Sequence, residues 1–181
     1  MAGKDDLILE IGCGDEKEYA DSIGLDIWRT DKVDVIADAR KLPFIEGCFG
    51  LIYTSHTIEH FSHREIRTII TDWVRVLKIG GALEIGCSDL RARALLFFIR
   101  PSWDDIKNIY GSQDYPENLH KSGYSYGILK RLLRQSGIDG IRRVIRGYRG
   151  VPFLPDSLHI IGTKHCAKNE PKKLGQEESR Q

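Results

Sequence analysis

Apolar and polar positions alternate along the first half of the chain in short, strand-like blocks, each ending in polar or small residues. Leu7 to Ile11 is an almost unbroken apolar run closed by Gly12-Cys13-Gly14-Asp15, the pattern of a buried parallel strand delivering a tight turn. Ile23-Gly24-Leu25-Asp26-Ile27 predicts a second strand, Val33 to Asp38 a third and Phe49 to Ser55 a fourth. Between the first two strands lies the polar piece Glu16 to Ser22, too short for a full crossover helix. The first crossover is therefore expected to be a turn or a short irregular piece.

The pattern then changes period. From His63 to Ile79 the apolar residues Ile66, Ile69, Ile70, Trp73, Val74 and Leu77 recur at three- and four-residue spacing, the stripe of an amphipathic helix. Ser62 with Glu65 forms a capping-box signature at its start, and Gly80-Gly81 is expected to stop it. Ala82 to Cys87 predicts a fifth strand and Leu90 to Ile99 a helix ending before Pro101. Residues 101–124 read as an aromatic-rich insertion of loops or short helices, a binding loop or lid above the sheet. Ser125 to Ser136 predicts a helix with Ile128, Leu129, Leu132 and Leu133 inward and Gly137 as its cap. Strands follow at Ile141–Ile145 and Leu158–Thr163. Residues 1–166 are expected to form one domain, followed by a polar, flexible tail over 167–181.

Composition narrows this little. The 181 residues are 41% hydrophobic and 29% charged, with a net charge of +1 that makes no case for nucleic acid. The distribution is uneven: residues 1–30 carry eight acidic and three basic side chains, residues 121–150 eight basic and one acidic. That basic stretch suits an anionic substrate, or simply forms a solvated face. The four cysteines make no C-x-x-C pair, and the spacing of the histidines is not read as a metal site. The start shows no signal-peptide pattern, and the apolar run Ala94–Ile99 is too short to span a bilayer, so a cytoplasmic, reducing setting is expected.

The glycine turn suggests a nucleotide-type site. The dinucleotide fingerprint G-x-G-x-x-G fails, because position 17 is lysine, and no phosphate loop follows. Taken together, Glu10-Ile11-Gly12-Cys13-Gly14, Gly24-Leu25-Asp26-Ile27, Asp38-Ala39-Arg40-Lys41-Leu42-Pro43-Phe44, Ser55-His56-Thr57-Ile58-Glu59-His60 and Arg75-Val76-Leu77-Lys78-Ile79-Gly80-Gly81 run in an order that resembles the class I S-adenosylmethionine-dependent methyltransferases, in their small type 11 branch. Ile79 stands where that branch commonly has proline.

The resemblance implies an α/β, Rossmann-like sheet, mostly parallel with an antiparallel C-terminal strand, and S-adenosylmethionine as cofactor. It implies that the Gly12–Gly14 backbone and Cys13 underlie the methionine and ribose, with Glu10 and Asp15 bordering the amino-acid part. Asp26 and Ile27 would meet the ribose, Asp38 and Ala39 the adenine edge, and Ser55 the methionine end. The candidate bases are His56, His60 and His120, the first two standing at the strand-four edge. Asp89, Tyr115, Tyr124 and Arg143 are expected on the acceptor side, with a packing role as the alternative for the tyrosines. The expected reaction is methyl transfer to a small-molecule or glycan-linked acceptor at oxygen. Methylation of protein or RNA, and a non-catalytic cofactor-binding or scaffolding role, are the alternatives. Family members often have an N-terminal helical cover, whereas this sequence starts at its first strand. Either more open access to the cofactor, or a partner or second subunit in a homodimer covering it, is therefore expected.

Overall fold

The computed structural model describes residues 6–145 and 157–165, so the expected tail over 167–181 lies outside the described residues. Its strands are β1 (Ile8–Ile11), β2 (Ile23–Asp26), β3 (Val35–Ile36), β4 (Phe49–Ser55), β5 (Leu77–Ser88), β6 (Ile138–Arg143) and β7 (Ser157–Lys164). Its helices are α1 (Ile66–Val76), α2 (Leu90–Ile99), α3 (Trp103–Tyr110) and α4 (Tyr126–Gln135). The strands form one seven-stranded sheet in the order β3-β2-β1-β4-β5-β7-β6. The β3-β2-β1-β4-β5 part is parallel, and β7 runs antiparallel between β5 and β6.

Register explains the core. Leu9, Ile52 and Leu83 are cross-strand neighbours, and Ile11, Thr54 and Ile85 form the next row. With Ile69, Ile70 and Trp73 of α1 and Leu129 and Leu133 of α4, these apolar residues are fully or almost fully buried in one cluster. The helical stripe read from the sequence is thus the contact face of α1. On α4 the inward set is smaller than expected: Leu129 and Leu133 are buried, while Ile128 is exposed.

The alternate residues face the other way. Glu10, Tyr53 and Glu84 form a row across β1, β4 and β5, and all three are buried. No helix lies between β1 and β2, as the short spacing predicts. Instead, Glu10 accepts from the backbone N–H groups of Glu18 (2.9 Å) and Tyr19 (3.3 Å) and from the Ser22 hydroxyl (3.2 Å). Tyr19 meets Tyr53 edge-on at 5.5 Å between centroids and donates its hydroxyl to Glu84 at 3.4 Å. Lys17, which occupies the place of a fingerprint glycine, donates to the Ser22 carbonyl at 2.7 Å and pairs with Asp34. Asp34 also accepts from the Gly24 N–H at 2.8 Å.

One boundary differs clearly from expectation. α1 ends at Val76, not at Gly80-Gly81, because Leu77 turns to extended backbone (ψ 140°) and pairs with Phe49 as the first residue of β5. The glycine pair lies inside that strand, opposite a register irregularity between Phe49 and Leu51. A Cβ on Gly81 would stand 2.9 Å from the Lys78 carbonyl oxygen and 3.1 Å from that of Gly50, so the close crossing needs a glycine. The third strand is also shorter than expected, pairing only at Leu25–Val35 and Asp26–Ile36.

Candidate cofactor and active site

The C-terminal ends of β1, β2 and β4 converge on a cavity of about 300 Å³. That edge is where ligands bind in open parallel sheets. The turn after β1 is built by two left-handed glycines, Gly12 (φ +71°) and Gly14 (φ +57°). A Cβ on Gly12 would lie 2.2 Å from Thr57 Oγ1, so this glycine makes room for the loop after β4 as well as for a ligand. Thr57 in turn donates to the carbonyls of Ile11 (3.3 Å) and Ser55 (3.1 Å), tying the two loops into one floor.

Asp26 ends β2 at this floor. Its carboxylate accepts from the Gly14 N–H and the Trp28 N–H, both at 3.0 Å. Two bonds leave lone pairs free on both oxygens, enough for a vicinal diol. Asp38 lines the next part of the cavity, where it accepts from the Arg40 N–H at 2.9 Å and pairs with its guanidinium at 3.2 Å. Beside it, Ala39 is held by α1, since Trp73 Nε1 donates to its carbonyl at 2.7 Å. Ile27 also lines the cavity, and so does Ser55. The Ser55 hydroxyl oxygen is buried and has no hydrogen-bond partner among the described residues. A buried orphan hydroxyl at the cavity wall is the kind of group a bound ligand completes.

His56 and His60 both line the cavity, His56 two residues before a single 3-10 turn at Ile58–His60 and His60 as its last residue. His56 sits at φ +52°, one of two non-glycine residues with positive φ among the described ones, and its N–H is fixed to the Gly86 carbonyl at 2.9 Å. Such backbone is uncommon for a residue with a side chain and tends to mark functional positions. Its Nδ1 lies 3.4 Å from Glu59 Oε1. Glu59 is only 2% exposed, and its Oε1 also accepts from the Ser88 N–H at 3.1 Å. Burial pushes the Glu59 carboxyl up, but the His56 ring and the backbone donors outweigh it, and the group is held below its ordinary range.

Other expected residues stand elsewhere. His120 does not line the cavity; it stacks edge-on to His60 at 5.1 Å, and burial pushes its pKa down. Glu10 is bound to the first crossover, and burial raises its carboxyl. Cys13 is buried beneath the turn, its thiol pushed up to about 11 mainly by burial, and Asp15 is exposed beyond it. Among the acceptor-side candidates only Tyr115 lines the cavity. Asp89 caps α2 by accepting from the Arg91 N–H (3.1 Å), and it pairs with Arg143 at 3.2 Å. Tyr124 is a core residue whose hydroxyl donates to the Ile58 carbonyl at 3.3 Å, and burial lifts its pKa to about 12. Sequence reasoning missed Trp28, Arg40, Thr57, Phe61, Glu117 and Lys121 on the cavity wall. Trp28, an exposed aromatic two residues past Asp26, was the legible signal among them.

This geometry agrees with known proteins. Residues 9–85 match the family described as methyltransferase domain. The chain has the fold of the class I S-adenosylmethionine-dependent methyltransferases. S-adenosylmethionine is the cofactor of that family, and the fit here rests on the diol-ready Asp26, the orphan Ser55 hydroxyl and the glycine floor. A curated relative is the ubiquinone/menaquinone biosynthesis C-methyltransferase of Paraburkholderia xenovorans, 23% identical over 150 residues, which cover 72% of this chain and 54% of that protein. The chain thus spans about half the length of that relative. Among solved structures, a methyltransferase from Methanosarcina mazei is similar with a TM-score of 0.62 and 20% identity, covering 90% of this chain and 94% of that one. One from Thermotoga maritima, described as a possible histamine N-methyltransferase, gives a TM-score of 0.59 and 19% identity, covering 88% and 82%. At these identities the structural likeness speaks for the fold.

Proposed function

We propose that this methyltransferase acts on a hydroxyl oxygen of a small-molecule or glycan-linked acceptor, with His56 as the base. The observation that carries the reading is the His56–Glu59 contact at the wall of the cavity that also holds Asp26 and Asp38. Of the three proteins named above, one is by its name a carbon methyltransferase and another is described as a possible nitrogen methyltransferase, so the likeness does not dictate the acceptor atom. A histidine backed by a buried carboxylate is suited to a hydroxyl, which must lose a proton as it becomes a nucleophile.

When bound, S-adenosylmethionine supplies a methyl group already activated on a sulfonium. Asp26 would accept from the ribose hydroxyls, Asp38 with the Ala39 N–H would meet the adenine edge, and Ser55 would reach the methionine end. His56 Nε2 takes the acceptor proton while Nδ1–H stays on Glu59, whose charge stabilises the imidazolium. Residues 101–124 form the acceptor side, with Tyr115 and Lys121 at the rim offering an aromatic face and a cation to an anionic sugar or phosphate. A cytoplasmic setting and a homodimer remain part of this reading.

The test pairs binding with turnover. Calorimetry with S-adenosylhomocysteine should show binding that weakens at least about tenfold in Asp26→Ala, as loss of a charged hydrogen-bonding pair implies. His56→Gln should keep that affinity while methyl transfer to a panel of hydroxylated acceptors falls about 10²–10⁴-fold. No binding by the wild type would remove the cofactor assignment for this chain. Binding with unchanged turnover in His56→Gln would remove the base.

A further inference from the structure

The apolar run from Ala94 onwards is not absorbed by the site or the core. α2 and α3 pack on each other, yet neither contains a buried residue. Leu95, Leu96, Phe97, Phe98 and Ile99 are all exposed, Phe98 at 85% and Ile99 at 69%, and Trp103 follows at 81%. Five consecutive helical residues sweep about 400° around the axis at roughly 100° per residue. The end of α2 therefore keeps apolar side chains in solvent around its axis, with Leu96 and Phe97 the less exposed members and Phe98 and Ile99 the most, which an amphipathic helix lying on its own domain does not. Exposed apolar surface of this kind marks an interaction site.

Charge points to the occupant. α2 has no acidic residue, and its apolar tip is bracketed by Arg91 and Arg100, with Lys107 on α3. Of the two carboxylates nearby, Asp105 is engaged by the Ser102 hydroxyl at the α3 N-terminus. An apolar tip with Phe and Trp, carried on helices that hold Arg91, Arg100 and Lys107 against Asp104 and Asp105, matches the interfacial zone of an anionic bilayer, where aromatic rings and cations each have a favourable layer. A second copy fits less well. The helices have ten and eight residues and are about 15 and 12 Å long, so their joint outer face is on the order of 300 Å². A stable dimer needs about 800 Å² per partner. Two-fold pairing would also oppose arginines to arginines.

We propose that the α2–α3 pair docks the protein onto an anionic lipid surface, with Phe98, Ile99 and Trp103 entering the headgroup–acyl boundary and Arg91, Arg100 and Lys107 meeting lipid phosphates. The docking is peripheral, since no helix among the described residues is long and apolar enough to cross a membrane. It does not depend on the methyl-transfer reading. It does join the site: the carbonyl of Tyr110, the last residue of α3, accepts from the His120 N–H at 3.0 Å, and His120 stacks on His60 in the cavity wall. An acceptor held at the lipid surface would thus lie near the rim.

Flotation of the full chain with vesicles of phosphatidylcholine and phosphatidylglycerol in even mixture tests this, against pure phosphatidylcholine. Binding is expected to the anionic vesicles, to fall with added salt, and to drop at least about tenfold in Phe98→Glu and Trp103→Glu. Arg91→Gln and Arg100→Gln should each cost about fivefold. Unchanged circular dichroism and S-adenosylhomocysteine affinity in the variants would tie the loss to the surface. Absence of vesicle binding overturns the proposal, as does binding that Phe98→Glu leaves intact. If Phe98→Glu instead abolishes a concentration-dependent dimer, or lowers the thermal midpoint of a protein that ignores vesicles, the hairpin belongs to a second copy or to another segment of this chain.

Discussion

Gly12→Ala is the sharpest perturbation of the cofactor floor, and its cost can be divided. Gly12 has φ +71°, so any Cβ residue there pays about 1–2 kcal/mol for left-handed backbone. The new Cβ would also stand 2.2 Å from Thr57 Oγ1 and 2.9 Å from Cγ2. Relieving that overlap costs a further 1–3 kcal/mol, roughly the range for overpacking a tight site. The sum, about 2–5 kcal/mol, is a fall of roughly 5–15 °C in thermal midpoint for a chain of this size. Thr57→Ala alone removes two hydroxyl contacts and should cost about 1 kcal/mol. In the double variant Oγ1 and Cγ2 are gone and only the Thr57 Cβ position, at 3.1 Å, presses on the new methyl. The pair should therefore recover about 1–2 kcal/mol relative to the sum of the single variants, as contacting residues do. The backbone part should remain. Urea unfolding of the four proteins, with S-adenosylhomocysteine calorimetry alongside, measures both. If Gly12→Ala costs under about 1 kcal/mol, or if Thr57→Ala gives no recovery, Gly12 is not there to admit Thr57.

Two further outcomes follow from buried carboxylates. Glu10→Gln leaves one acceptor oxygen for the three donors from Glu18, Tyr19 and Ser22, and should destabilise by about 1–3 kcal/mol. Hydrogen exchange should show faster opening at the Glu18 and Tyr19 amides, and unchanged protection there would sink the assignment. Glu59 has a folded pKa below its ordinary 4.5, so its contribution to stability is full above that value and is lost as pH falls through the folded pKa. The stability gap between wild type and Glu59→Gln, measured by urea unfolding, should be widest near neutrality and shrink with acidification below about pH 4.5; a gap independent of pH would mean His56 does not hold the carboxylate charged.

Legibility followed the range of the interactions concerned. β4 (Phe49–Ser55) and α2 (Leu90–Ile99) have the bounds their apolar runs predict, because local pattern and flanking signals suffice there. The end of α1 was not readable. Leu77 fits the helical stripe as well as it fits a strand, and what decides is its pairing with Phe49, a contact across 28 residues of chain. In the site, Gly12, Gly14, Asp26, Ile27, Asp38, Ala39, Ser55, His56 and His60 carry sequence motifs and line one cavity. Arg40 and Phe61 do not announce themselves, since their place on the wall comes from each other: the guanidinium lies 5.1 Å over the Phe61 ring. The positions of Asp89 and Tyr124 in the sequence suit an acceptor side, but a carboxylate before a helix and a tyrosine before a packed helix serve equally well as a cap and a core residue.

The reduced first crossover shows how polar groups can replace a helix. A crossover helix would bury an apolar stripe on the sheet face that carries Glu10, Tyr53 and Glu84. Here that row is polar or amphipathic, and a stripe would leave its carboxylates desolvated and unpaired, at a cost of several kcal/mol for each charge. The short peptide 16–22 supplies what a helix could not, backbone N–H groups of Glu18 and Tyr19 aimed at Glu10 and a tyrosine hydroxyl reaching Glu84. Lys17 completes the link by pairing with Asp34, which holds the Gly24 N–H at the start of β2. The same lysine that removes this turn from the pyrophosphate-binding pattern thus anchors the crossover that carries the chain from Gly14 to Asp26. Loosening Lys17 should therefore be felt in β2, because its partner Asp34 holds the Gly24 N–H two residues before the carboxyl that would hold the ribose.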